Sequence, residues 1–331
     1  MKRLFFIFIL SIAIIPGAVN SATASVPRNA WMDLPVIPVI QGKVKTAFVR
    51  DLGKSRRHSM RPRVFAKVGD SNTEMASALY GLACRRAKLT GRFRLRSVID
   101  RYNRVQLENE RAMPGCRPST SFSRRSASAK SGSYSTWSLT RNADLPPDFP
   151  YWQPPSDCPL KETPLICEVR TLQPRYTLIM TGTNDLGMDI RFGIGPGRRT
   201  ASRMSALIRE VRRLGSVPVI STLPPVVAAA APPGVVNSSN AGIDKAARQN
   251  SVPIINLWRA LAGPGMINSG MEDSGFHLRS QPGGDSRILE PGPTTFADSV
   301  DFRPEALRFG ANRRNLIWLQ TLAALDRAAG V

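Results

Sequence analysis

From Pro174 onward the chain alternates between short apolar runs and amphipathic stretches, and this alternation constrains its fold more than any other feature. Tyr176 to Thr181 reads as a buried strand, and Ala201 to Leu214 as a helix with Met204, Leu207, Ile208 and Val211 on one face. Val217 to Ser221 reads as a strand, Asn240 to Gln249 as a helix, and Pro253 to Asn256 as a strand. A last helix is expected from about Asn312 to Ala328, where Leu316, Leu319, Leu322 and Leu325 recur at helical spacing. Strands alternating with helices of ~10–15 residues form βαβ units, so the fold class is α/β, with a mostly parallel sheet covered on both faces. The pattern holds no internal repeat and no coiled coil, and 331 residues are enough for one large α/β domain or two smaller ones.

Before this alternation stands another apolar run, Val64 to Val68, which stops at Gly69-Asp70-Ser71. Met75, Leu79 and Leu82 then recur at helical spacing, with Thr73 as a candidate cap. A polar residue just past the C-terminal end of a strand stands at the edge where α/β folds bind ligands. Ser71 is therefore a candidate nucleophile, although Gly-Asp-Ser is also ordinary turn and capping chemistry, with the Gly supplying positive φ. Phe93, Leu95 and Val98 point to a strand or ribbon in the charged stretch from Arg85 to Arg111. Residues 114 to 157 are rich in Ser, Arg and Pro; Tyr134, Trp137, Tyr151 and Trp152 mark them as a loop that packs, as a cleft wall.

Residues 1–24 read as an export signal: Lys2-Arg3, an apolar stretch from Leu4 to Ile15, and Ala22-Thr23-Ala24 as the cleavage site. That apolar stretch is shorter than the ~20 residues of a spanning helix, so the mature chain, starting near Ser25, is expected to be secreted or periplasmic, with no transmembrane segment. Residues 25–60 read as an extended basic N-terminal arm, with the α/β domain over 61–331. Four cysteines fit an oxidising compartment. They allow three pairings, of which proximity favours Cys158–Cys167, leaving Cys84–Cys116. Their spacing suits no zinc site, and neither metal nor cofactor is expected. The net charge of +22 is spread along the chain; such a field favours anionic partners, or is simply a solvated basic surface. Ser123-Arg124-Arg125 lies near aromatic residues, but no nucleic-acid-binding fold accompanies it. Gly193 to Gly197 lacks the spacing of a phosphate loop.

A serine nucleophile needs a base within hydrogen-bond reach and a group that holds the base. The chain has two histidines, His58 in the basic arm and His277 after a Gly-containing loop with Asp273 four residues before it. Gly69-Asp70-Ser71, the strand-ending Gly182-Thr183-Asn184-Asp185 and the late His277 together resemble the SGNH (GDSL-type) hydrolase family, over about Val64 to His277. The resemblance implies a three-layer, flavodoxin-like sandwich with a mostly parallel central sheet. It implies Ser71 as nucleophile, His277 as base and Asp273 as the acid, one residue out of the family's D-x-x-H pattern, with Asp298 and Asp301 as poorer alternatives. It also implies an oxyanion hole from the Ser71 N–H, the Gly132 N–H (Gly115 being the competitor) and the Asn184 side chain. Asp70 and Asp185 read as structural carboxylates that hold the loops.

The implied function is an exported esterase acting on short acyl esters, small or carbohydrate-linked, with anionic cell-surface polymers as further partners and no specific nucleic acid. The alternatives are a non-catalytic basic glycan- or surface-binding protein that keeps the fold, and a lysophospholipase-like lipid acyl hydrolase.

Overall fold

The apolar runs pair as a sheet of four parallel strands, β1 (Arg61–Gly69), β2 (Pro174–Met180), β3 (Val217–Ser221) and β4 (Ile254–Ile255), in the order β1-β2-β3-β4. The structure is a computed structural model that describes residues 29–75, 77–83, 87–108, 118–145, 158–195, 197–226, 234–263, 265–273, 275–281 and 300–331. The helices among these are α1 (Gly42–Arg57), α2 (Ser71–Glu74), α3 (Tyr80–Ala83), α4 (Arg96–Asn103), α5 (Pro164–Leu172) and α6 (Thr183–Arg191). They continue with α7 (Thr200–Arg213), α8 (Val235–Asn250), α9 (Leu257–Leu261), α10 (Met266–Gly270) and α11 (Gly310–Ala328).

Successive strand residues point to opposite faces, and both faces are apolar, as a sheet between two helix layers requires. Val68, Ile179 and Ile220 lie in register across β1, β2 and β3 and pack on Leu165 and Val169 of α5, Leu207 and Ile208 of α7 and Ile243 of α8. Phe65, Tyr176, Leu178, Met180 and Val219 face the other way, onto a core shared by Phe48 and Leu52 of α1, Ile99 and Tyr102 of α4 and Leu319 and Leu322 of α11. The outer edge of β1 is not left bare. The Gly69 N–H donates to the Ser128 carbonyl at 3.0 Å, and the Lys130 N–H to the Gly69 carbonyl at 3.1 Å. The Phe65 N–H donates to Ser121 Oγ at 3.0 Å, so the serine-rich loop supplies the ladder bonds that an edge strand otherwise offers to other chains.

Three expectations are corrected. The N-terminal arm is not extended: residues 42–57 form α1, whose buried stripe of Ala47, Phe48, Asp51, Leu52 and Ser55 alternates with a basic outer face. Asp51 is held there by Arg212 Nε at 2.7 Å, an ion pair between distant segments that local periodicity does not reveal. The strand or ribbon expected around Phe93, Leu95 and Val98 is a short 3-10 turn leading into α4, which buries Val98, Ile99 and Tyr102. The helix after Ser71 does not run on to Leu82; it ends after one turn and restarts at Tyr80, with Leu79 at φ +69° between them.

The aromatic loop packs through Trp137, while Tyr151 and Trp152 lie outside the described residues. Cys158 and Cys167 form a disulfide with a Cα–Cα distance of 5.5 Å, tying the loop to α5; Cys84 and Cys116 lie outside the described residues, as do the expected signal segment, Gly115 and Asp298.

Candidate active site

The parallel strands end at one rim, and the polar residues just past β1 and β2 meet there. A Cβ on Gly69 would stand 2.1 Å from Thr73 Oγ1 and 2.3 Å from the Met180 carbonyl, so glycine is required by close approach and not by positive φ. Asp70 caps α2: its carboxylate accepts the Asn72 N–H at 3.2 Å and, with its other oxygen, the Thr183 N–H at 3.3 Å. It thus joins the turn after β1 to the turn after β2. Burial pushes the Asp70 carboxyl up to about 6, against the opposing pull of these hydrogen bonds. Ser71, the first residue of α2, is presented on this doubly anchored turn.

Past β2, Gly182 takes φ +125°, a conformation open to glycine, and starts α6. Asn184 Nδ2 then donates to the Ser133 carbonyl at 2.9 Å, and the Asp185 carboxylate accepts the Ser135 N–H at 2.8 Å and Ser135 Oγ at 2.7 Å. From the α2 side, Glu74 holds the same loop through Lys130 Nζ at 3.2 Å and the Ser131 N–H. Burial raises the Glu74 carboxyl above its ordinary range, opposed first by Lys130. Gly132 stands exposed at φ +74° between these anchors. Its N–H and that of Ser71 meet no acceptor among the described residues, so both donors are free for an incoming group.

His277 arrives 206 residues after Ser71 and places Nε2 3.0 Å from Ser71 Oγ. It lies on a tight antiparallel turn: Met271 bridges Leu278, and the Glu272 N–H donates to the His277 carbonyl at 2.9 Å. Residues opposed across such a pair project to the same side. Glu272 therefore faces the imidazole, with Oε2 3.5 Å from Nδ1. Asp273, the next residue, projects away into solvent and pairs with Arg279 Nη2 at 2.6 Å. The carboxylate expected on the ring from Asp273 is supplied by Glu272 instead. Glu272 lies five residues before His277, further from the D-x-x-H spacing than Asp273; Gly275, at φ +76°, turns the chain back between them, and that glycine is the one sign of the turn in the sequence. Asp301 is engaged by Arg303 and takes no part. His58 is exposed at the end of α1.

Two basic side chains are fully buried near the β1 turn. Lys67 Nζ donates to the Phe122 carbonyl at 3.0 Å and sits 4.1 Å from the Tyr80 ring centre; burial brings its ammonium down to about 7. Arg314, from α11, donates to the Asn72 carbonyl and to Asn315 Oδ1, and burial lowers it to about 9. Arg124, of the Ser123-Arg124-Arg125 run, is buried between Glu108 and Glu168. Among the described residues no group of three His, Cys, Asp or Glu side chains is placed to hold a metal ion.

The arrangement supplies an alcohol in contact with an imidazole, a carboxylate behind the imidazole, and N–H donors on the nucleophile's own turn and on the loop tied to it, which is what acyl transfer needs. A family model described as the GDSL-like Lipase/Acylhydrolase family matches residues 68–281. Among solved structures, a lipase/acylhydrolase from Enterococcus faecalis is similar at 13% identity and a TM-score of 0.38, covering 60% of this chain and 74% of that one. A GDSL-like lipase from Bacteroides thetaiotaomicron is similar at 15% identity and a TM-score of 0.32, with the same coverage of 60% and 74%. No curated protein matches the chain.

Proposed function

The chain belongs to the GDSL-like lipase/acylhydrolase family, and on that premise we propose that it is an exported serine esterase whose nucleophile is Ser71. The observation that carries this reading is the 3.0 Å approach of His277 Nε2 to Ser71 Oγ. In the reaction, Ser71 Oγ adds to the ester carbonyl as its proton passes to Nε2. Glu272 holds the ring through Nδ1–H and stabilises the imidazolium. The developing oxyanion is received by the N–H groups of Ser71 and Gly132 and by the second Nδ2 hydrogen of Asn184. Collapse of the adduct breaks the ester C–O bond, and the alcohol leaves with the proton from His277. Water, deprotonated by the same imidazole, then releases the acid from Ser71.

The substrate proposed is a short acyl ester on a small molecule or a carbohydrate. The half-buried His277, with exposed Phe276 beside it, supports a site open enough for a bulky alcohol portion. Anionic polymers are proposed as a docking partner. The net charge of +22 supports this, as does a cleft of about 480 Å³ at the far end of β1 lined by Arg63, Arg94, Arg101, Arg104 and Arg327. Arg101 is engaged by Asp326; the other four have no carboxylate partner among the described residues. Among the described residues no helix is long and apolar enough to cross a membrane.

The test is turnover of p-nitrophenyl acetate by the purified protein against a Ser71→Ala control, followed by an acyl series from acetyl to palmitoyl. Turnover that vanishes in the control and declines with chain length supports the reading. Equal rates in both proteins remove it, and a preference for long chains replaces the short-acyl substrate with a lipid.

A further inference from the structure

The imidazole and the alcohol come from segments separated by 206 residues, and the contact between them is a single hydrogen bond. Such a bond does not by itself hold a ring in place, so what fixes the backbone of His277 decides whether the pair is aligned. That backbone is gripped by the residue next to the nucleophile. Asn72 Nδ2 donates to the Phe276 carbonyl at 3.0 Å, and Asn72 Oδ1 accepts the Leu278 N–H at 3.0 Å. The carbonyl before the histidine and the N–H after it are therefore both bound by one carboxamide, which takes the place of a neighbouring strand. Asn and Gln alone offer a neutral donor and acceptor side by side, and Asn is short enough to stay on the same turn as Ser71.

Asn72 is itself immobilised. It is 1% exposed; its N–H is held by Asp70 and its carbonyl accepts from the buried guanidinium of Arg314. Every polar group of the residue is thus committed, and each commitment runs to a different part of the fold: the β1 turn, the His277 turn and α11.

We propose that Asn72 is a positioning residue that sets the imidazole of His277 against Ser71 by clamping the peptide groups on either side of the histidine. The proposal rests on the esterase reading for its kinetic consequence and on geometry alone for its structural one. A displacement of about 1 Å in such a pair lowers the rate roughly 100-fold, so the clamp acts on kcat and leaves substrate binding largely alone.

The test compares Asn72→Ala and Asn72→Asp with Asn240→Ala. Asn240 is an equally buried residue that makes the same paired contact with the N–H and carbonyl of Leu223, outside the site. Two readouts are taken: kcat and KM for p-nitrophenyl acetate, and the ¹⁵N imidazole signals of His277, told apart from those of His58 by a His58→Gln protein. Asn72→Ala is expected to lower kcat about 100-fold with KM within about twofold, and to broaden and shift the His277 signals. Asn72→Asp is nearly isosteric and keeps the acceptor for Leu278. It is expected to fold, to lower kcat and to shift the His277 signals, because it sets a carboxylate oxygen against the Phe276 carbonyl beside the ring. Asn240→Ala is expected to leave both His277 readouts as in the parent.

Should the parent show no turnover above Ser71→Ala while His277 responds to the Asn72 variants, the esterase reading falls and the positioning role stands. Should either Asn72 variant fold with the His277 signals unchanged, or should Asn240→Ala disturb His277 as much, the positioning role is overturned whatever the activity. If Asn72→Ala does not fold, Asn72→Asp decides.

Discussion

At the scale of single residues, the acid behind the imidazole is the sharpest point of contact between structure and chemistry. Glu272 faces Nδ1 of His277 at 3.5 Å, whereas the Asp273 carboxylate is 96% exposed and occupied by Arg279. Glu272→Gln is therefore expected to lower kcat by about 10²–10⁴-fold, since it removes the anion that fixes the tautomer and stabilises the imidazolium. Asp273→Asn is expected to leave kcat within about twofold, as for a surface substitution away from the reacting atoms. Steady-state kinetics of the two variants decides between them. Asn184 is the companion case: loss of one oxyanion donor typically costs ~2.7–4 kcal/mol of barrier, so Asn184→Ala should reduce kcat by about 10²–10³. Ser71 was nameable in advance from its strand-end position, while His277, Gly132 and Asn184 were named through the resemblance to the SGNH family. Glu272 was not, because which of two adjacent carboxylates meets the ring depends on cross-strand pairing, and pairing is a tertiary fact.

At the scale of elements, β1 joins an apolar core to a buried charge. Lys67 is enclosed by Phe122 and the Tyr80 ring, and its ammonium is lowered from 10.5 to about 7 chiefly by burial. A base with a depressed folded value is protonated more fully in the unfolded chain between the two values, so unfolding takes up protons there and stability rises with pH. The Lys67 contribution should therefore grow from pH 7 to about 10, by an amount on the order of a few kcal/mol at ~1.36 kcal/mol per unit. Denaturant unfolding of the parent minus Lys67→Met, measured at pH 6, 8 and 10, isolates it; a difference that does not change with pH contradicts the account. The Cys158–Cys167 bridge belongs to the same scale. It closes a loop with a sequence separation of 9, for which chain entropy predicts about 2–3 kcal/mol. The Cys158→Ser, Cys167→Ser protein should show that loss in denaturant unfolding under oxidising conditions. The strands β2 and β3 and the helices α7, α8 and α11 were legible because their periodicity is strong. The helix α1 was not: it offers Phe48 and Leu52 amid basic residues and buries Asp51 only because Arg212 reaches it.

At the scale of the whole molecule, catalytic rim and basic cleft stand at opposite ends of β1, so retention on an anionic surface need not block the rim. Exposed charges are screened within about 8 Å at physiological ionic strength, so retention on an anionic polysaccharide matrix should weaken steeply with salt. Arg94→Glu with Arg104→Glu should weaken it more than Arg191→Glu with Arg198→Glu, an equal charge change at exposed residues away from the cleft. Equal losses would leave only a diffuse basic surface. The parallel sheet and its two helix layers followed from the alternation of apolar runs, and the serine-rich stretch was legible as a packed loop, whereas the partners that hold it were not. Its order comes from bonds to Gly69, Glu74, Asn184 and Asp185, contacts that no local pattern announces.

The central claim is that Ser71 is a nucleophile activated by His277, and covalent trapping tests it most directly. Incubation with a fluorophosphonate, followed by peptide mass spectrometry, should place one phosphonyl group on Ser71, displace fluoride, and lose the adduct in both Ser71→Ala and His277→Ala. An unlabelled Ser71 in the folded parent, or labelling undiminished without His277, would contradict it.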